Sequence, residues 1–187
     1  MAEVVLFHSA AGLRPAVLRA ADGLRALGHG VTTPDLYDGR TFTDLDEGVA
    51  HMRSIGWPEL LTRAAAAVEG LPETLVYIGM SMGAGLAATV AATRPGARGV
   101  VLLYGPEVPE EPWPAGVPVQ AHYAVGDPWV DASSEVLLIR KVADAGGQVS
   151  LYVYPGSGHL LDDDDLPDPY DASAAAVLWL RVAAFLG

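Results

Sequence analysis

Apolar residues recur along the chain in short runs that alternate with longer segments of helical spacing. The short runs predict six strands, at residues 4–8, 31–33, 74–78, 100–104, 117–125 and 148–154. Helical spacing predicts five helices, at residues 15–27, 58–68, 82–93, 133–145 and 172–186. Several strand runs are almost entirely apolar, as in a parallel sheet that is buried on both faces. The pattern therefore predicts a three-layer α/β/α sandwich around a mostly parallel sheet of about six strands.

Local signals support the helix ends but leave two segments irregular. Pro15 stands at a first-turn position, and Gly28 follows the last periodic residue as a left-handed cap would. Residues 43–57 show no regular pattern, and the proline-rich run 106–114 cannot be the interior of a helix or strand. We predict loops at both places, over one rim of the sheet. Because no repeat or long linker divides the chain, residues 1–187 are expected to form a single α/β domain.

The composition narrows the classes of partner. The chain has 187 residues, of which 51% are hydrophobic, and this is enough for a full core. Its formal net charge of −12 opposes contact with phosphates and anionic lipids, so we expect neither a nucleic acid nor a membrane partner. The chain has no cysteine, which excludes disulfides and thiolate nucleophiles.

The ends of the chain carry no pattern typical of export or membrane insertion. The first residues, MAEVVLFHSA, place Glu3 where a signal peptide would carry basic residues. No run reaches the ~18 uninterrupted apolar residues of a membrane span. We expect a soluble, cytoplasmic protein, either a monomer or a small homo-oligomer.

The octapeptide IGMSMGAG, residues 78–85, lies where the third predicted strand gives way to a helix. Gly79-x-Ser81-x-Gly83 fits a nucleophile elbow, in which glycines allow a sharp turn that exposes the serine oxygen. The segment 83–88 also fits the G-x-G-x-x-A form of a dinucleotide-binding loop. A third interpretation is that the glycines only permit close helix packing. The octapeptide alone leaves these three interpretations open.

An acid and a histidine follow later strands, as a serine nucleophile requires. A serine needs a base to remove its proton, and the base needs an acid to orient it. Asp127 follows the fifth predicted strand, and His159 follows the sixth within YPGSGH. Asp131 is the better candidate for capping the helix near residue 133, which leaves Asp127 free. The order serine, acid, histidine is that of α/β hydrolases.

Other titratable clusters favour neither a metal nor a cofactor. No pair of histidines has the spacing of a zinc site, so we expect no metal. The acidic run 162–165 is interpreted as a solvated turn, with an alternative electrostatic role. In that role it would favour the imidazolium form of His159 and discourage anionic substrates.

Five segments together resemble the dienelactone hydrolase family of the α/β-hydrolase fold, over essentially the whole chain. They are VLFHSAAG ending at Gly12, TPDLY at 33–37, GMSMG at 79–83, VQAHY at 119–123 and YPGSGH at 154–159. The resemblance implies a compact hydrolase that lacks the two leading strands of larger members. It implies a triad of Ser81, Asp127 and His159, oxyanion donors at the backbone N–H groups of Met82 and Ala10, and no cofactor.

Three departures from the family pattern bear on the substrate. The members that give the family its name have cysteine in the elbow, where this chain has Ser81. They also carry a glutamate near the position of Ser9, and an arginine that holds the substrate carboxylate where this chain has Asp163. The resemblance therefore implies a neutral ester more than dienelactone itself.

We expect a serine hydrolase that cleaves a small carboxylic ester or lactone through an acyl-enzyme. Arg53 is a candidate contact for a substrate carboxylate, although an exposed helical arginine needs no such role. The alternative is a non-catalytic protein that binds a small ligand on the same fold. A nucleotide site is weakened because no basic residue stands near Gly83 to Gly85. The candidate pocket residues are His8, Ser9, Trp57, Tyr104, Trp129 and Leu160.

Overall fold

A parallel sheet of six strands forms the centre of the computed structural model, which describes residues 1–131, 133–156, 158–166 and 170–187. The strand order is β2-β1-β3-β4-β5-β6, and every neighbouring pair is parallel. The strands are β1 Glu3–Phe7, β2 Gly30–Thr32, β3 Leu75–Met80, β4 Ala97–Leu103, β5 Val119–Ala124 and β6 Val149–Tyr154.

Helices cover both faces of this sheet. They are α1 Pro15–Ala26, α2 Leu45–Ile55, α3 Trp57–Val68, α4 Met82–Thr93, α5 Ser133–Asp144 and α6 Ala172–Leu186. Successive side chains of a strand point to opposite faces. Val5 and Phe7 of β1 thus join the core under α3, α4 and α5, whereas Val4 and Leu6 join the core under α1 and α6. The predicted three-layer α/β sandwich is confirmed.

The loop predicted at residues 43–57 is wrong, because α2 occupies most of that segment. The Asp44 side chain accepts hydrogen bonds from the N–H groups of Asp46 and Glu47, which is an N-cap. Gly48 is the buried residue of α2, and a narrow stripe of partly buried side chains, Leu45, Val49, Met52 and Ile55, packs against the core. A Cβ atom at Gly48 would lie 2.4 Å from the Ala10 carbonyl oxygen, so α2 packs directly on the loop after β1.

Parallel pairing brings the functional segments to one edge of the sheet. Phe7 is level with Gly79, Met80 with Leu103, and Ala124 with Tyr154 at the carboxyl ends of their strands. The loops after β1, β3, β4, β5 and β6 therefore open on the same rim, where α/β sheets bind ligands. The proline-rich loop after β4 contains neither helix nor strand, as predicted, and the buried Trp113 anchors it through a 2.8 Å bond from Nε1 to the Val117 carbonyl.

Candidate active site

Ser81 lies on a sharp turn between β3 and α4. Its φ of 53° is positive, which is strained for a residue with a side chain. A Cβ atom at Gly79 would lie 1.9 Å from the Gly83 carbonyl oxygen, and one at Gly83 would lie 2.4 Å from the Phe7 carbonyl oxygen. Both glycines are therefore required for the turn to pack against itself and against the end of β1.

Ser81, His159 and Asp127 form a continuous chain of hydrogen bonds. The Ser81 Oγ lies 2.7 Å from the His159 Nε2, and the His159 Nδ1 lies 2.6 Å from the Asp127 Oδ2. Ser81 is half-buried, whereas His159 and Asp127 are buried. The arrangement has the connectivity of a nucleophile, a base and an orienting acid.

Both carboxylate oxygens of Asp127 have a partner, which fixes the orientation of the group. The second oxygen, Oδ1, accepts a 2.9 Å hydrogen bond from the N–H of Trp129. Asp131 instead accepts from the N–H of Ser133 at the start of α5, as expected for a cap. Asp127 therefore contacts the histidine, whereas Asp131 caps the helix α5.

Two backbone N–H groups are available beside Ser81. The N–H of Met82 belongs to the first turn of α4, where helical N–H groups have no intrahelical acceptor. The N–H of Ala10 lies in the turn after β1, which the Gly12 N–H closes with a 3.0 Å bond to the Ser9 carbonyl. No atom in the described residues accepts a hydrogen bond from either group. Because Phe7 is level with Gly79, the two turns start side by side.

His8 holds the loop after β1 in place. Its Nδ1 donates a 2.7 Å bond to the Ser9 carbonyl, and its Nε2 accepts a 3.1 Å bond from the Leu36 N–H. The ring is fully buried, and burial lowers the pKa of His8, so it stays neutral. The Ser9 Oγ accepts from the Ala11 N–H at 3.1 Å. These bonds fix the turn that carries the Ala10 N–H.

The structure places the other candidate pocket residues at different depths. The rings of Trp129 and Tyr104 lie 5.9 and 6.0 Å from the His159 ring, and Trp129 is exposed whereas Tyr104 is buried. Trp57 is exposed and reaches Gly85, one turn of α4 beyond the serine. Leu160 is buried in the core under α1 and α6. Arg53 lies exposed on α2.

The interpretation of residues 162–165 as a solvated turn is wrong for its first half. Asp163 is buried and forms an ion pair with the buried Arg14, whose Nε lies 2.6 Å from Oδ2. Asp162 accepts a 2.9 Å bond from the Trp179 Nε1, and burial raises the pKa of Asp162. No local pattern in the sequence indicates this ion pair, because its partners are 149 residues apart. The loop that carries His159 is thereby tied to α1 and α6.

Three aspartates of the acidic run form ion pairs with arginines. Within the described residues, carboxylate oxygens of Asp163, Asp164 and Asp165 lie within 4.8 Å of one another. Arg14 pairs with Asp163, and Arg19 pairs with Asp164 and Asp165. These pairs compensate the charge that a metal ion would otherwise neutralise, and they reduce the repulsion that the run would exert on an anionic substrate.

A buried parallel sheet, a serine on a strand-to-helix turn, and an acid and histidine after later strands define an α/β hydrolase. The chain belongs to the dienelactone hydrolase family, whose model matches residues 1–187. It is accordingly a hydrolase of ester bonds. No curated protein matches the chain significantly.

Solved structures share the fold at low sequence identity. A dienelactone hydrolase-like promiscuous phosphotriesterase from metagenomic libraries superposes with a TM-score of 0.80 at 20% identity, over 100% of this chain and 85% of that one. A Klebsiella pneumoniae protein assigned to the dienelactone hydrolases gives 0.77 at 18% identity, over 100% and 86%. The dienelactone hydrolase of Anabaena variabilis gives 0.59 at 20% identity, over 98% and 84%. In the described part of the chain, no helix has the length and apolar character needed to cross a membrane.

Proposed function

We propose that the protein is a serine hydrolase that cleaves a small carboxylic ester or lactone through an acyl-enzyme. The observation that carries the proposal is the position of His159, which lies within hydrogen-bond distance of both Ser81 and Asp127. A neutral imidazole held in this way accepts the serine proton at Nε2 while Nδ1–H donates to the carboxylate.

The reaction follows from this geometry in two halves. Ser81 Oγ attacks the ester carbonyl as its proton passes to His159, and the proton then goes to the departing alkoxide when the carbon–oxygen bond breaks. Water attacks the resulting acyl-enzyme, giving a proton to His159, and this proton returns to Ser81 as the carboxylic acid leaves. Asp127 orients the ring and stabilises its charged form in both halves.

The N–H groups of Met82 and Ala10 would stabilise the oxyanion of each tetrahedral intermediate. Both lack an acceptor among the described residues, and the Met82 group also lies at the positive end of the α4 dipole. Each such donor lowers the barrier by ~3 kcal/mol in comparable enzymes. The rigid turn after β1, held by His8 and Ser9, supports this role because it needs little reorganisation.

The Arg14–Asp163 ion pair supports a preference for a neutral ester substrate. In the members that give the family its name, an arginine at the position of Asp163 holds the substrate carboxylate. Here that position carries an acid, and its partner Arg14 is buried and engaged. Neither residue is available to hold a carboxylate, so an anionic ester gains nothing from them.

Covalent labelling tests the proposal. The protein is treated with a fluorophosphonate probe, the adduct is mapped by mass spectrometry, and short p-nitrophenyl esters are assayed. We expect the adduct on Ser81, and we expect Ser81→Ala to lose both labelling and turnover. Ser54→Ala, which changes an exposed serine on α2, is the matched control. An unlabelled Ser81, or turnover that survives Ser81→Ala, would support the non-catalytic ligand-binding alternative or another nucleophile.

A further inference from the structure

One carboxylate beside the triad has no task in the proposed reaction. Glu107 stands in the proline-rich loop three residues after Tyr104, and Tyr104 directly follows β4. The Ser81 N–H donates a 2.8 Å bond to the carbonyl of Leu103, the last residue of that strand. The loop that carries Glu107 therefore starts against the nucleophile turn.

The Glu107 carboxylate points back over α4. Its Oε2 lies 3.9 Å from the position that a Cβ of Gly85 would take, and its Oε1 lies 3.5 Å from the same position at Gly105. Gly85 is four residues after Ser81, so the two share one face of the helix. The carboxylate thus lies about one helical turn from the nucleophile.

Glu107 is an acid at the rim of the site, and its side chain has no partner among the described residues. The residue is exposed, yet enough protein surrounds its carboxyl group that burial raises the pKa of Glu107. No hydrogen bond or ion pair joins its side chain to the described residues. An opposite charge on a ligand would stabilise the ionised form of a partly surrounded carboxylate such as this one.

Two exposed indole rings lie near this part of the site, Trp57 beside Gly85 and Trp129 beside His159. The Trp57 Cη2 would lie 2.9 Å from a Cβ at Gly85, so the absence of a side chain there makes room for the ring. The Trp129 ring lies 5.9 Å from the His159 ring. Trp57 is 40% and Trp129 is 46% exposed, so both present free surface to a ligand. Indole faces attract cations, and ammonium groups most clearly.

We propose that Glu107, with Trp57 and Trp129, forms a subsite for a positively charged group, so that the enzyme prefers esters whose alcohol or acyl part carries an ammonium ion. The inference rests on the proposed function of the Ser81 site. The Glu107 carboxylate supplies the negative charge, and the indole rings supply an aromatic surface on which an ammonium group loses part of its hydration shell. The net charge of −12 attracts cations toward the protein.

Isosteric probes separate charge from shape. Choline and 3,3-dimethylbutanol have nearly the same shape, but only choline is charged. Calorimetry should show choline binding about tenfold more tightly to the native protein, as expected for one partly screened charge contact with aromatic support. Glu107→Gln should bring the two affinities to within about twofold. Glu110→Gln removes the same charge from an exposed position of the same loop and should leave the ratio unchanged.

Turnover gives the second measurement. The kcat/KM for acetylcholine should exceed that for 3,3-dimethylbutyl acetate by a similar factor, and Glu107→Gln should bring the two values to within about twofold. Higher salt should lower the factor in the native enzyme. Equal affinities for the two alcohols, or a ratio that Glu107→Gln does not change, would overturn the inference. Ester hydrolysis that survives Ser81→Ala would instead overturn the proposed function, and calorimetry would still test the subsite.

Discussion

The buried ion pair between Arg14 and Asp163 offers a test of how the loop of His159 is held. The pair joins the residue before α1 to the residue four positions after the histidine. Only 5% of the Arg14 side chain and 6% of the Asp163 side chain is exposed. We consider Arg14→Met, which keeps most of the apolar stem and removes the charge.

The magnitude follows from what the substitution leaves behind. Arg14 Nε and Nη2 donate to the two oxygens of Asp163 at 2.6 and 3.3 Å, and Nη1 donates to the Phe42 carbonyl at 2.9 Å. In Arg14→Met the Asp163 carboxylate stays buried without its counter-charge. Removal of one partner of a buried pair costs about 3–5 kcal/mol. This is a large share of a domain stability of about 5–15 kcal/mol.

Urea unfolding of three variants measures the effect. Arg14→Met should lower the free energy of unfolding by about 3–5 kcal/mol, and Arg14→Met with Asp163→Leu should recover most of that loss, because neither charge of the pair then remains buried. Arg19→Met removes an arginine that is 50% exposed and should cost less than about 1 kcal/mol. A loss below about 1 kcal/mol in Arg14→Met, or no recovery in the double variant, would refute the reasoning.

Three further predictions concern the turn, the acid and the core. Gly83→Ala should displace α4 and abolish fluorophosphonate labelling, since its Cβ would lie 2.4 Å from the Phe7 carbonyl oxygen, whereas Gly23→Ala, with nothing within 4 Å, should label normally. Asp127→Asn should lower kcat by ~10⁴-fold while the fold persists, and a loss below about tenfold on p-nitrophenyl acetate would contradict the role of the acid. Burial, with a neighbouring arginine, lowers the pKa of His122 to about 3, so the unfolded chain binds a proton that the folded protein excludes. The free energy of unfolding should therefore fall as pH drops from about 6.5 toward about 3, and equal slopes for native protein and His122→Gln in urea titrations would count against this.

Most of the architecture could be predicted from the chain because its signals are local. Apolar runs and helical spacing indicated the six strands and five of the six helices to within a few residues. The helix α2 was missed although Leu45, Val49, Met52 and Ile55 stand at helical spacing, because this stripe is narrow and only partly buried against the core. Its capping aspartate, Asp44, was the signal that could have revealed it.

The sequence by itself determined the order of the elements and the candidate triad. Ser81, Asp127 and His159 each follow a strand, and parallel strands must place those ends at one edge of the sheet. This conclusion needs only periodicity and chain order, which do not depend on how side chains pack.

The tertiary structure alone decided which distant side chains meet. The paths of the loops decide that Arg14 pairs with Asp163, 149 residues away in the chain. They also decide that Glu107 and Trp57 approach Gly85. The neutral state of His8 likewise depends on its burial and on the Leu36 N–H. Such contacts arise when the core excludes water, because buried polar groups must then find partners that lie near in space, whatever their distance along the chain.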